Sequence, residues 1–161
     1  SVAVTSAEHS DEDSHPPPQP GDELITRAAL RSAWPATLPI TPRALLLRVR
    51  GANVQADVPP YLTRQAAEEI VRRGIEHLII DLPSVDRSED EGRLTAHRIF
   101  FGLPAGSVQQ DEATRPLCTI TELAHFPASL PDGPCAVQIQ LPAFTGDAVP
   151  SRPLYLPLAN P

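Results

Sequence analysis

His77-Leu-Ile-Ile-Asp-Leu-Pro-Ser-Val-Asp86-Arg-Ser-Glu-Asp-Glu-Gly92-Arg-Leu-Thr-Ala-His97 is the stretch on which the fold turns. Leu78 to Leu82 is a short branched apolar run closed by Pro83, which reads as a buried strand ending in a forced turn. Polar groups then gather where the strand meets its loop: Ser84, Asp86, Glu89, Asp90 and Glu91, followed by Gly92 and a short apolar-spaced segment carrying His97. In α/β proteins that sheet edge is where sites are built.

Upstream, Thr63 to Arg73 predicts a helix, with Thr63 as N-cap, Gly74 past its end, and Leu62, Ala66, Ala67, Ile70 and Val71 on one stripe. This helix runs at once into the Leu78 strand, so it should cover one face of it. Arg43 to Val49 reads as a further strand, and Asp22 to Trp34 as a short helix capped by Thr26 and stopped by Pro35. Residues 6 to 21 are acidic and proline-rich, and predict a flexible loop in which His9 and His15 are solvated rather than metal-bound. Downstream, Cys118 to Phe126 alternates weakly and carries Glu122, after a loop-like stretch from Leu103 to Leu117 that includes Gly106. Cys135 to Leu141 alternates cleanly, with Val137, Ile139 and Leu141 inward, and Leu154 to Leu158 predicts an edge strand.

The 161 residues could bury about two thirds of their unfolded surface, enough for one domain. A formal charge of −7, with every basic residue an Arg, argues against nucleic acid and anionic membranes. No apolar run approaches the roughly 20 residues of a spanning helix, and nothing resembles a signal peptide, so a soluble cytoplasmic protein is the default. Cys118 and Cys135 lack the paired spacing of a zinc site and read as small buried hydrophobes. Neither a glycine-rich phosphate loop nor a Gly-x-Ser-x-Gly elbow is present.

The chemistry-bearing residues are carboxylates and one histidine. Asp81, at the end of a buried strand, needs hydrogen bonds or a cation. Ser84 and Asp86 read as groups that cap and shape the turn after Pro83, while Arg87, Glu89, Asp90 and Glu91 read as a solvated charged turn. Tyr61, after Pro59-Pro60, is either a border of the site or a surface anchor. His77 reads as a strand-edge residue. His97 carries the group that can change charge near neutral pH and can also ligate a metal.

Asp81-Leu-Pro-Ser-Val-Asp86, Asp90-Glu-Gly92 and Leu94-Thr-Ala-His97-Arg-Ile-Phe-Phe101 together resemble the second half of the metal-dependent cyclase family, which includes bacterial kynurenine formamidase and isatin hydrolase. Thr119-Ile-Thr-Glu122-Leu and Ala143-Phe-Thr-Gly-Asp147-Ala-Val-Pro150-Ser-Arg-Pro153 extend the resemblance, which covers roughly residues 43 to 156. The family's metal motif, His-x-Gly-Thr-His-x-Asp-x-Pro-x-His, lies upstream of this region in the family and is absent from the sequence. The resemblance implies an α/β fold of the swivelling β/β/α type: a mixed β-sheet with flanking helices, lacking its N-terminal part. Val2-Ala-Val4 fits that expectation as the tail of a strand whose beginning is cut off.

The resemblance further implies that His97 and Glu122 meet in space as catalytic residues or as ligands of a second metal, zinc or manganese, whose principal ligands lie outside this chain. Tyr61, Asp81, Ser84 and Asp86 would then bind substrate or shape the site. The implied reaction is metal-assisted hydrolysis of an amide, with an aryl formamide such as N-formylkynurenine as leading substrate and His97 as acid or base. The implied partners are the missing N-terminal half or a second chain, and further copies in a homo-oligomer. Two other readings stand beside it: a non-catalytic relative without the metal half, and a lactone or cyclic-amide hydrolase, or a cyclase, of the same family.

Overall fold

A computed structural model describes the chain except for residues 39, 52–55, 105, 106, 108, 147 and 159–161, so Gly106 and Asp147 lie outside the described residues. In chain order the elements are β1 (Val2–Ala3), β2 (Thr5–Ser6), β3 (Glu23–Ile25), α1 (Arg27–Ala33), β4 (Ala44–Leu47), β5 (Val49–Arg50), β6 (Tyr61–Leu62) and α2 (Arg64–Arg72). They continue with β7 (His77–Ile80), α3 (Thr95–Phe101), β8 (Thr119–Thr121), β9 (Cys135–Gln140) and β10 (Arg152–Pro157). The class is mixed α/β.

β7 is the middle strand of a parallel sheet ordered β4-β7-β8. Its Leu78, Ile79 and Ile80 are all buried, as a parallel strand covered on both faces requires. Beneath it lie Ala66, Ala67 and Ile70 of α2 and Ala96 and Phe100 of α3, in one apolar cluster with Leu78, Ile80, Leu82 and Val85. α2 starts where Thr63 Oγ1 accepts the Ala66 N–H at 3.0 Å, and ends at Gly74, whose φ of +77° suits a residue without a Cβ. α1 begins in the same way, Thr26 Oγ1 accepting from Ala29 N–H.

Where one mixed sheet was expected, the described strands divide into two three-stranded and two two-stranded sheets. The reason lies in strand length: β1, β2, β5 and β6 are two residues each, too short to carry a ladder across a wide sheet. Among the described residues β9 and β10 pair only with each other, antiparallel, and the half-buried face of β9 carries Cys135, Val137 and Ile139. Leu141, expected inward, is exposed because it lies past the end of the ladder. Cys118 and Cys135 are free thiols, half-buried rather than buried.

Residues 6 to 21, predicted to be a flexible loop, are tied down instead. Glu12 accepts from the Arg27 and Ala28 N–H groups and from Thr63 Oγ1, Asp13 C=O accepts from Arg64 N–H, and His15 C=O accepts from Thr95 Oγ1. The Glu12 carboxylate, which composition reads as solvated, satisfies two unpaired N–H donors at the start of α1 and takes the hydroxyl of the Thr63 cap of α2.

Candidate functional site

The parallel register brings the site together. Ile79 pairs with Thr121, so β7 and β8 reach the same sheet edge side by side, and the chain just past each strand meets the other. Leu123 N–H donates to Leu82 C=O at 2.8 Å and Ala124 N–H to Ile80 C=O at 3.0 Å. Glu122 therefore sits against the turn that follows Pro83, and its Oε1 accepts the Val85 N–H at 2.8 Å. Ser84 Oγ accepts the Asp86 N–H at 3.1 Å, the turn-shaping role expected of it.

Asp86 is buried, and its carboxylate serves α3 rather than the turn after Pro83 that it was expected to shape. One carboxylate oxygen accepts from Ala96 N–H at 2.6 Å; the other accepts from His97 N–H at 3.1 Å and lies 2.7 Å from His97 Nδ1. The residue at the N-cap position of α3 is Leu94, which offers no side-chain acceptor, so Asp86 supplies the cap from ten residues upstream. The same carboxylate fixes the imidazole with Nδ1 turned inward and Nε2 outward. His97 Nε2 then lies 3.5 Å from Glu122 Oε1, with the ring still partly exposed to solvent.

Burial is the largest single influence on His97 and opposes its charge. The Asp86 hydrogen bond and the Asp86, Glu122 and Asp90 charges together outweigh it and hold the imidazole above its ordinary pKa. Backbone strain gathers at the same place. Glu91 (φ +56°) and Leu94 (φ +48°) lead into α3, and Leu123 (φ +55°) follows Glu122. These are the non-glycine residues in the left-handed region among those described. Each costs about 1–2 kcal/mol, a strain that clusters where geometry is over-determined.

Two other expected site residues look elsewhere. Asp81 accepts from Val49 N–H at 3.0 and 3.3 Å, joining β7 to β5, and burial raises its pKa. Tyr61 is no surface anchor: it is fully buried on β6 and donates to Asp22 Oδ2 at 2.7 Å. Asp22, also buried, takes Arg87 Nε at 3.1 Å on the same oxygen, and Arg87 reaches on to Glu89 C=O. Arg87 is thus no solvated turn residue. Asp90 is not one either, since it is buried and its carboxylate accepts from Gly92 and Leu94 N–H at 2.9 and 2.6 Å. Tyr61 and Asp22 shape the site from below by anchoring Arg87, a link between residues 65 apart in sequence that no local pattern announces.

Burial and the Asp22 bond raise the Tyr61 pKa. Although burial opposes it, Asp22 is held below its ordinary value by donors from Gln19, Arg87 and Tyr61. Tyr61→Phe should lower stability by about 1 kcal/mol. A depressed carboxylate stabilises above its unfolded pKa and loses that contribution as pH falls through the folded one. The deficit should therefore be full at pH 7 and shrink in acid, as urea denaturation at the two pH values would read.

His77, read as lying just before the strand, is the first residue of β7, and its Nδ1 pairs with Thr119 Oγ1 across the β7–β8 ladder at 2.9 Å. No group of three or more His, Cys, Asp or Glu side chains placed to hold a metal occurs among the described residues, and no described helix is long and apolar enough to cross a membrane. No protein-family model and no curated protein matches the chain.

Proposed function

We propose that the chain is the C-terminal part of a metal-dependent amide hydrolase of the cyclase family, contributing His97 and Glu122 as two donors to a divalent cation. One observation carries the reading: His97 Nε2 and Glu122 Oε1 face each other at 3.5 Å while Asp86 holds the other ring nitrogen. A charge-assisted hydrogen bond closes to about 2.7–2.9 Å. Two ligands on one tetrahedral centre with bonds of about 2.0–2.1 Å stand about 3.3–3.4 Å apart. The pair fits the second spacing better. A carboxylate on the far nitrogen of a ligating histidine is also the partner that sets its tautomer and basicity.

Two donors are fewer than the usual four, so on this reading the others come from residues outside this chain, in an N-terminal part or a second chain. Held by His97 and Glu122 together with ligands from outside this chain, a zinc or manganese ion would supply carbonyl polarisation and a bound water of lowered pKa. Asp86 keeps Nε2 turned toward Glu122, and Glu122, braced by Val85 N–H, is held against reorientation. An aryl formamide is the leading substrate, with lactones and cyclic amides as the alternatives within the family. The raised pKa of His97 favours a second role for the same nitrogen, protonation of the leaving amine, which excludes ligation at the same moment.

Protein isolated from its natural source should carry stoichiometric zinc or manganese and release aromatic amine from an aryl formamide. His97→Ala and Glu122→Ala should each lower metal occupancy and cut hydrolysis by about 100-fold. Loss of hydrolysis with full metal content in His97→Ala would assign proton transfer instead. A metal-free protein inactive on formamides, lactones and cyclic amides would leave the non-catalytic reading.

A further inference from the structure

We infer that the outer edge of β4 is a docking site for an extended apolar polypeptide segment that runs parallel to β4 and leads into the line of β1. The inference does not depend on the metal reading. β4 pairs with β7 on one side only. His77 N–H donates to Arg43 C=O, so odd-numbered residues of this strand turn their main-chain groups toward β7, and even-numbered ones turn them outward. Val2 N–H confirms the alternation by donating to Arg48 C=O at 2.9 Å from that outer side. Ala44 and Leu46 therefore present N–H and C=O groups to the open edge, where β4 has no strand partner among the described residues.

The edge is not composed as an edge. Solvent-facing strands carry charges, prolines or bulges that discourage pairing, whereas Ala44-Leu-Leu-Leu47 is a continuous apolar run of the kind found in the interior of parallel sheets. Yet Ala44, Leu45 and Leu46 are only half-buried. Alongside them runs a groove of about 290 Å³, whose other walls include Leu30, Trp34, Leu130 and Cys135. Seven consecutive residues, 42 to 48, line it. Consecutive strand residues point to opposite faces, so a groove that touches all of them lies against the edge and not against one face.

β1 fixes the direction of the occupant. It is already hydrogen-bonded on this side of the strand, parallel, with Val2 opposite Val49 and Ala3 opposite Arg50. A strand continuing that line in the same register passes Leu47, Leu46, Leu45 and Ala44 in turn, through the groove, with Ser1 at its near end.

The test is amide hydrogen exchange on the whole chain, alone and carrying a four-residue probe, Thr-Val-Thr-Val, joined ahead of Ser1. In the chain alone the Ala44 and Leu46 amides should exchange fast and those of Leu45 and Leu47 slowly. The probe should slow Leu46, whose N–H meets the C=O of the first valine in this register, by about tenfold or more, while Ala44, which lies beyond the probe's last carbonyl, stays fast; a probe with proline in place of each valine should not slow Leu46. No slowing with Thr-Val-Thr-Val, or equal slowing with the proline probe, overturns the inference. So does slow exchange at Ala44 and Leu46 in the chain alone, whether a second copy covers the edge, seen as concentration-dependent dimerisation, or the chain's own segments do.

Discussion

Asp86→Ala should lower the folding stability of the metal-free chain by about 3 kcal/mol, a fall in Tm of about 6–12 °C for a chain of this size. Three donors converge on this one buried carboxylate: Ala96 N–H, His97 N–H and His97 Nδ1. With Leu94 in the N-cap position, nothing on α3 itself replaces them. The loss should depend on pH. His97 is held above its ordinary pKa, so its charged form contributes stability in full below the unfolded value of about 6.5 and loses it as pH rises through the folded value. The gap between wild type and Asp86→Ala should be wider at pH 5.5 than at pH 9. Asp86→Asn, which keeps one carbonyl acceptor, should recover part of the stability while the His97 titration still moves down, because burial then acts against a weaker opposition. NMR titration of the His97 ring resonances checks this directly. An unmoved His97 pKa in Asp86→Asn would mean that Glu122 and Asp90 hold the charge, and that Asp86 serves α3 alone.

What the sequence discloses and what it hides divide along a physical line. β7, α1 and α2 are legible because burial imposes a period and Thr26, Thr63 and Gly74 mark helix ends by chemistry local to them. The turn role of Ser84 is legible for the same reason, whereas the carboxylate of Asp86, read as shaping that turn, caps α3 instead. The approach of Glu122 to His97 is not local. It follows from the parallel register of β8 on β7, which the weak alternation of Cys118 to Phe126 does not encode, and only the resemblance to a known family supplies it in advance. Asp22, Tyr61 and Arg87 are hidden in the same way. An aspartate after a proline-rich loop looks solvated until the fold places a buried phenol and a guanidinium on one of its oxygens. Glu12 is hidden until it lies across the starts of two helices. Carboxylates in this chain are repeatedly spent on capping at a distance, and composition counts them as surface. The left-handed residues Glu91, Leu94 and Leu123 leave no sequence signal, since none is a glycine or an asparagine.

Glu69→Gln should cost roughly 2 kcal/mol at neutral pH, because an almost fully buried carboxylate there is shared by three arginines. Arg72 reaches it from one turn further along α2 at 2.7 Å, Arg31 crosses from α1 at 2.9 Å, and Arg73 completes the set at 2.7 Å. Arg73 is itself held by the Trp34 ring, 4.0 Å beneath its guanidinium, so the cluster joins α1, α2 and the segment after α1 in one contact. These bonds, led by Arg72 and then Arg31, bring the Glu69 pKa down to about 2. A shift of that size from about 4.3 is worth about 3 kcal/mol if nothing screens it. The Arg31 and Arg72 side chains are more than half exposed, so solvent weakens two of the three pairs and the smaller figure is the one to expect. A depressed carboxylate contributes above its unfolded pKa and loses the contribution as pH falls through its folded one. The Glu69→Gln deficit should therefore be complete at pH 6, begin to close below about pH 4.3, and be largely gone at about pH 2. It should also shrink at 1 M salt, though by less than an exposed pair would, since the acceptor is out of water. Urea denaturation of the two proteins across that pH range separates this from a packing effect: Gln nearly matches Glu in shape, and a deficit that persisted unchanged to pH 2 would place the cost in the side chain's fit and not in its charge.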